Sequence, residues 1–291
     1  MCRFALYLGS PIRVSSLITE PSNSIIHQSF HSHERKEPLN GDGFGLAWYV
    51  PEISDEPSLF KDLSPAWNNA NLLQLARVTR TPCLLAHVRA ASPGLSVSRL
   101  NCHPFARGPF AFMHNGTVGG FRSIARILRS ALSDDAYHWI QGSTDSELVF
   151  AIFLDHYERS TTENSLERII DALTRTIAQV EAVRIEEGVK EPSSLNLAVT
   201  DGKCAVVSRY ISRELNNNKA NSLYVHSGSR YECEGGNCRM APALDEGNLA
   251  VIVASEPLSD DPGWQPIAPN HFTVIHEDLH VEQRPIQPWL T

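Results

Sequence analysis

A chain of 291 residues with 42% hydrophobic composition can bury a sizeable core, as one large domain or two ordinary ones. Its 33 Asp and Glu against 25 Lys and Arg give a formal charge of −8 with no basic block, which argues against nucleic acid and anionic membrane as partners. No run approaches the roughly 18 apolar residues of a membrane span, and the apolar N-terminal stretch is too short for a signal-peptide core, so a cytoplasmic protein is expected. The six cysteines (2, 83, 102, 204, 233 and 238) are scattered, which predicts reduced thiols rather than a disulfide framework. Cys233 and Cys238 bracket Glu-Gly-Gly-Asn, a spacing read as a surface loop in preference to half of a zinc site.

In chain order, Met1-Cys2-Arg3 leads into the apolar strand pattern Phe4 to Leu8. Cysteine is small enough at position 2 for Met1 to be removed, which leaves a residue bearing both a thiol and a free α-amine. The amine titrates at about 7.7 to 8.0 and the thiol at about 8.5, so one residue can supply a nucleophile and its base. A half-buried apolar residue and a lipidation site are the other readings. Ser10-Pro11 is expected to open a short helix reaching Ile18. His27, His31 and His33 sit in one loop with no Cys or carboxylate among them, and no metal is expected there. Asn40 to Gly45 is a glycine-dense turn into a strand over Leu46 to Val50, suited to close backbone approach and lacking any phosphate-loop signature.

Residues 69 to 78 have helical periodicity, and Cys83 to Val88 is a buried strand that ends on Arg89, ahead of a polar loop from Ala90 to Pro104. An arginine at the mouth of an apolar strand needs an anion, either a structural carboxylate or a substrate carboxylate held as a bidentate pair. Phe110 to His114 is a strand running into Asn115-Gly116. That dipeptide is either a plain turn or, since a helix follows over Phe121 to Leu132, a pair of donors for a developing oxyanion. Thr144 and Glu147 form a capping-box pattern that starts an apolar helix. Asp145, in its first turn, either complements the helix dipole or receives a substrate ammonium. A long amphipathic helix from Ser165 to Glu187 is followed by strands at 195–200, 204–210, 223–227, 249–254, 272–276 and 280–284. The polar insert from Asn216 to Asn221 is a loop, and no linker or repeat divides the chain, so residues 2–291 are expected to form a single domain.

In this order Met-Cys-Arg, Asn40 to Gly45, His87-Val88-Arg89, Asn101 to Phe105, His114-Asn115-Gly116 and Thr144 to Glu147 resemble the class II glutamine amidotransferases, within the N-terminal-nucleophile hydrolases. Ala254-Ser255-Glu256-Pro257-Leu258, with Trp264 after it, is similar to the stand-alone branch of that family. The resemblance implies an α+β fold, a four-layer αββα sandwich of two stacked antiparallel sheets flanked by helices, and no cofactor. It implies Cys2 as nucleophile, Asn115 and Gly116 as oxyanion donors, and Arg89 and Asp145 as the grip on a γ-glutamyl head group. It departs after Arg89, where Ala90-Ala91-Ser92-Pro93 replaces the Trp-Ala-Thr-His of two-domain members. Three readings are implied. One is an amidohydrolase for a small γ-glutamyl compound, similar to members in glutathione breakdown or ergothioneine assembly. The second is a glutaminase subunit passing ammonia to a partner protein, and the third a binding protein without catalysis. Cys2, Arg89, Asn115, Gly116 and Asp145 together argue against the third.

Overall fold

A computed structural model describes residues 2–32, 34, 39–91, 97–212, 220–242 and 249–287. Met1, His33, Ser92, Pro93 and residues 216–219 of the polar insert lie outside the described residues. With strands numbered in chain order, one sheet holds β1 (Arg3–Arg13), β2 (Phe44–Val50), β3 (Ser54–Asp62), β4 (Arg80–Val88), β9 (Tyr224–Gly228), β12 (Ala250–Ala254) and β13 (Gln265–Pro266). Its spatial order is β13-β9-β12-β1-β4-β2-β3, with every pair antiparallel, so the strand after Cys2 lies in the middle. The second sheet, also antiparallel, holds β5 (Phe105–Arg107), β6 (Phe110–Thr117), β7 (Ser194–Thr200), β8 (Ala205–Ile211), β14 (His271–Ile275) and β15 (Val281–Pro285). It is ordered β15-β14-β8-β7-β6-β5.

The two sheets stack on Phe4, Leu6 and Leu8 of β1, packed with Leu85, Met113, Ala198, Val207 and Val253. The alternate residues Ala5 and Tyr7 face the other way, into a core shared with α1 (Ser15–Ile18), α2 (Ile25–Gln28) and α3 (Ala70–Val78). β1 is therefore covered on both faces, which is why it reads as an unbroken apolar run instead of an alternating one. The second sheet carries α4 (Phe121–Ser130), α5 (Asp134–Trp139), α6 (Asp145–Arg159) and α7 (Ser165–Glu186) on its outer side. Residues Leu148 to Leu154 of α6 are all buried, as an innermost helix requires. The result is the expected α+β sandwich of four layers, helix, sheet, sheet, helix. Among the described residues no helix is long and apolar enough to cross a membrane.

Three local expectations are corrected. Ser10-Pro11 does not open a helix: β1 continues to Arg13, and the helix starts at Ser15. Pro11 falls where the β1–β4 register shifts between Leu8 and Ile12, a place where a missing N–H does no harm to the ladder. Asn115-Gly116 is not a turn, because β6 runs through both residues to Thr117. Cys233 and Cys238 are neither a loop nor reduced. They face each other across the hairpin of β10 (Arg230–Glu234) and β11 (Asn237–Ala241), and they are joined by a disulfide.

Candidate active site

Cys2 sits half-buried just ahead of β1, and its thiol lies 3.6 Å from the Ala90 carbonyl. The β1–β4 register pairs Arg3 with Val88, which brings Cys2 and Arg89 to the same sheet end. The glycine-dense turn holds that end in place. Arg89 N–H donates to the Gly43 carbonyl at 2.9 Å, Asp42 N–H to the Arg89 carbonyl at 3.1 Å, and Ala91 N–H to Asp42 Oδ2 at 2.8 Å. Gly43 has φ 113°, and a Cβ there would come within 2.8 Å of the Asp62 carbonyl and 2.9 Å of Cys102 Sγ. The close approach allowed by Gly43 is thus to the Asp62 backbone and the Cys102 sulfur, while its carbonyl takes the Arg89 N–H. Arg89 is itself buried. Burial pushes the Cys2 thiol up from its ordinary pKa, outweighing the downward pull of the Arg89 and Arg3 charges.

Asn115 and Gly116 stand at the end of β6, paired with Asn196 and Leu195 of β7. Asn115 is buried, and its Nδ2 reaches Ser255 Oγ at 3.4 Å, while its Oδ1 has no hydrogen-bond partner among the described residues. Ser255 in turn brackets Phe4, accepting from its N–H at 3.0 Å and donating its own N–H to the Phe4 carbonyl at 3.0 Å. The amide is thereby tied to the strand that carries Cys2. At Gly116 a Cβ would lie 1.8 Å from the Ser194 carbonyl, so no side chain fits. Asp145 opens α6 behind the cap Thr144, whose hydroxyl accepts from Glu147 N–H at 3.2 Å. Only that half of the capping box forms, since the Glu147 carboxylate instead accepts from Gln141 and Gly142 N–H. The Asp145 carboxylate accepts from Val118 N–H and Ser146 N–H, each at 2.9 Å, so it is fixed next to the residues that follow Gly116.

Sequence reasoning gave no role to a charged cluster beneath Cys2. Arg3 and Glu256, both buried, pair at 2.8 Å, Ser32 Oγ also donates to Glu256, and Arg3 Nη1 donates to the Cys2 carbonyl at 3.0 Å. The available signal was an arginine opening one apolar strand and a glutamate two residues past the end of another. Their separation of 253 residues concealed the pairing.

A model of the class-II glutamine amidotransferases matches residues 15–286. The chain belongs to that family. It is 41% identical over 295 residues to a "probable glutamine amidotransferase DUG3" of Saccharomyces cerevisiae, covering 94% of this chain and 82% of that one. A γ-glutamyl-hercynylcysteine sulfoxide hydrolase of Mycolicibacterium smegmatis is 27% identical over 288 residues, 98% of this chain and 100% of that one. Among solved structures, a glutamine aminotransferase class-II domain protein from Silicibacter pomeroyi superposes with a TM-score of 0.68 at 29% identity, covering 99% of both chains. Glutamine phosphoribosylpyrophosphate amidotransferase of B. subtilis, at a TM-score of 0.59 and 14% identity over 99% of this chain and 49% of that one, shares the fold. The protein is therefore an enzyme of the glutamine amidotransferase and γ-glutamyl hydrolase kind. The family match begins beyond Cys2.

In this amidotransferase three buried histidines back the site. The rings of His87 and His103 meet at a tilt of 31° with centroids 4.3 Å apart, and His114 bonds Ser146 Oγ at 3.0 Å. Burial holds all three below their ordinary pKa, His87 at about 3 and His103 well below the usual range. An unfolded histidine titrates near 6.5, so below that pH unfolding takes up protons that the folded rings refuse. Stability is fully present above about pH 6.5 and falls on acidification by about 1.4 kcal/mol per pH unit for each ring, until the folded pKa is reached. Urea unfolding at a series of pH values measures this directly. A stability that stays flat between about pH 6.5 and 4 would show the rings to be charged or unburied. Among the described residues no group of three or more His, Cys, Asp or Glu is placed to hold a metal ion.

Proposed function

We propose that residues 2–291 act as one catalytic domain that hydrolyses the γ-glutamyl amide of glutamine or a small γ-glutamyl compound through Cys2. The observation that carries this is the placement of Cys2 at the same sheet end as the buried Arg89, with Asn115 tied to the same strand through Ser255. Removal of Met1 frees the Cys2 α-amine. The thiol sulfur bonds to the amide carbon while its proton passes to that amine, which is needed because burial keeps the thiol protonated near neutral pH. The Asn115 side-chain amide and Gly116 N–H stabilise the tetrahedral oxyanion. The amine returns the proton to the leaving nitrogen as the C–N bond breaks, and water then cleaves the thioester to give glutamate and the free thiol.

Arg89 holds the substrate α-carboxylate as a planar fork. Asp145 holds the α-ammonium. Its carboxylate already accepts two backbone N–H groups, which fixes its orientation and leaves acceptor capacity for a substrate. The γ-glutamyl-hercynylcysteine sulfoxide hydrolase relative supports a small γ-glutamyl compound as substrate.

The test is intact mass before and after treatment with 6-diazo-5-oxo-norleucine, a glutamine-mimicking diazoketone, with peptide mapping. The expected result is a chain lacking Met1 that gains one adduct on Cys2. A chain that keeps Met1 and takes no label would overturn the reading.

A further inference from the structure

Beyond the shift between Leu8 and Ile12, at the end of the sheet remote from Cys2, the β1–β4 register sets Arg13 directly opposite Arg80. Side chains directly opposite each other share a face, and like charges so placed destabilise the pair. A third guanidinium, from Arg230 at the start of β10, lines the same cavity as these two. Its volume is about 440 Å³, and Tyr7, Ser10, Ser16 and Tyr231 complete the polar lining. No carboxylate lines it among the described residues.

The three arginines are only partly engaged elsewhere. Arg13 reaches Glu20 at 3.5 Å, Arg80 Nη2 donates to the Pro11 carbonyl at 2.9 Å, and Arg230 pairs with Glu232. Each guanidinium has five N–H donors, so most remain available. Tyr231 gives an independent sign. It is 5% exposed, and its hydroxyl has no hydrogen-bond partner among the described residues. A buried hydroxyl left without a partner is destabilising, and here it belongs to a residue that lines the same cavity as the three guanidinium groups.

We infer that this cavity binds a phosphate group, either inorganic phosphate or the head of a small phosphate monoester. A phosphate monoester carries about −1.5 to −2 charge near neutral pH, inorganic phosphate somewhat less, and both present several acceptor oxygens, which suits guanidinium groups arriving from three strands. A single carboxylate would leave the Arg13–Arg80 repulsion largely uncompensated. The cavity exceeds the size of the anion, so an ester's organic part has room. It is also separate from the catalytic centre: β1 spans 11 residues from Arg3 to Arg13, and an extended strand of that length is roughly 30 Å long.

The experiment is calorimetric titration and thermal unfolding of the full chain with inorganic phosphate and, separately, glycerol 3-phosphate, at constant ionic strength against chloride. Saturable binding by the parent is expected, with a rise in melting temperature. Arg80→Gln and Arg230→Gln, both exposed positions that should fold normally, are expected to weaken it at least about tenfold, and Tyr231→Phe less. γ-Glutamyl hydrolysis without phosphate should be the same in all of them. Tighter binding of glycerol 3-phosphate assigns a monoester, and equal or weaker binding assigns free phosphate. Absence of saturable binding to both probes, or equal affinity in the parent and both arginine variants, would overturn the site whether or not the proposal for Cys2 holds.

Discussion

Cys2→Ala is expected to lower γ-glutamyl amide hydrolysis by roughly 10³-fold or more while leaving the thermal unfolding curve almost in place. The two halves of that expectation have separate causes. Activity is lost because no other thiol can substitute: Cys83, Cys102 and Cys204 are free but buried, and burial raises the pKa of each. Stability is kept because Cys2 is only half-buried and, among the described residues, the polar contact of its thiol is a 3.6 Å approach to the Ala90 carbonyl. Removing the sulfur should therefore change stability by about 1 kcal/mol or less. Cys2→Ser sharpens the point, since a hydroxyl in the same place is far harder to deprotonate than the already raised thiol. Steady-state hydrolysis and a melting curve decide the matter together. Retained turnover would place the nucleophile elsewhere, and a large drop in melting temperature would make Cys2 a core residue.

Elements with a local pattern were legible in the sequence. β1, β4 and β6 are covered on both faces and carry continuous apolar residues, and α7 carries its own amphipathic period. β3 was missed because most of its residues are exposed at the sheet edge, so Ser54–Asp62 has no apolar alternation to find. The β10–β11 hairpin did leave a mark. Gly235 and Gly236 take φ of 57° and 88°, the conformations a tight turn between strands needs. Read as a loop, the pair hid the fact that Cys233 and Cys238 fall opposite each other. The site itself divides in the same way. Arg89 and Asp145 each declared themselves by position, one ending an apolar strand and one opening a capped helix. Ser255 has no such local signal, because its contacts are with Phe4 and Asn115, far away in the chain.

Glu256→Ala is expected to destabilise the fold by about 3 to 5 kcal/mol, because it leaves the Arg3 guanidinium buried without its carboxylate. It should also slow catalysis, for a reason that stability alone does not supply. Arg3 Nη1 donates to the Cys2 carbonyl, so the pair fixes the peptide unit that carries both the thiol and the α-amine. Glu256→Gln separates the two effects, since it keeps an oxygen to accept from Arg3 and Ser32 while removing the charge, and it should cost less stability. Inactivation by 6-diazo-5-oxo-norleucine then reads the positioning role. If the cluster orients Cys2, the maximal inactivation rate falls in Glu256→Gln while the half-saturating concentration, which the proposed head-group binding assigns to Arg89 and Asp145, stays near the parent value. A variant that melts early but inactivates at the parental rate would restrict Arg3 and Glu256 to holding β1 against β12. A slowed rate with unchanged half-saturation would instead extend the catalytic arrangement to the last strand of the chain that touches β1.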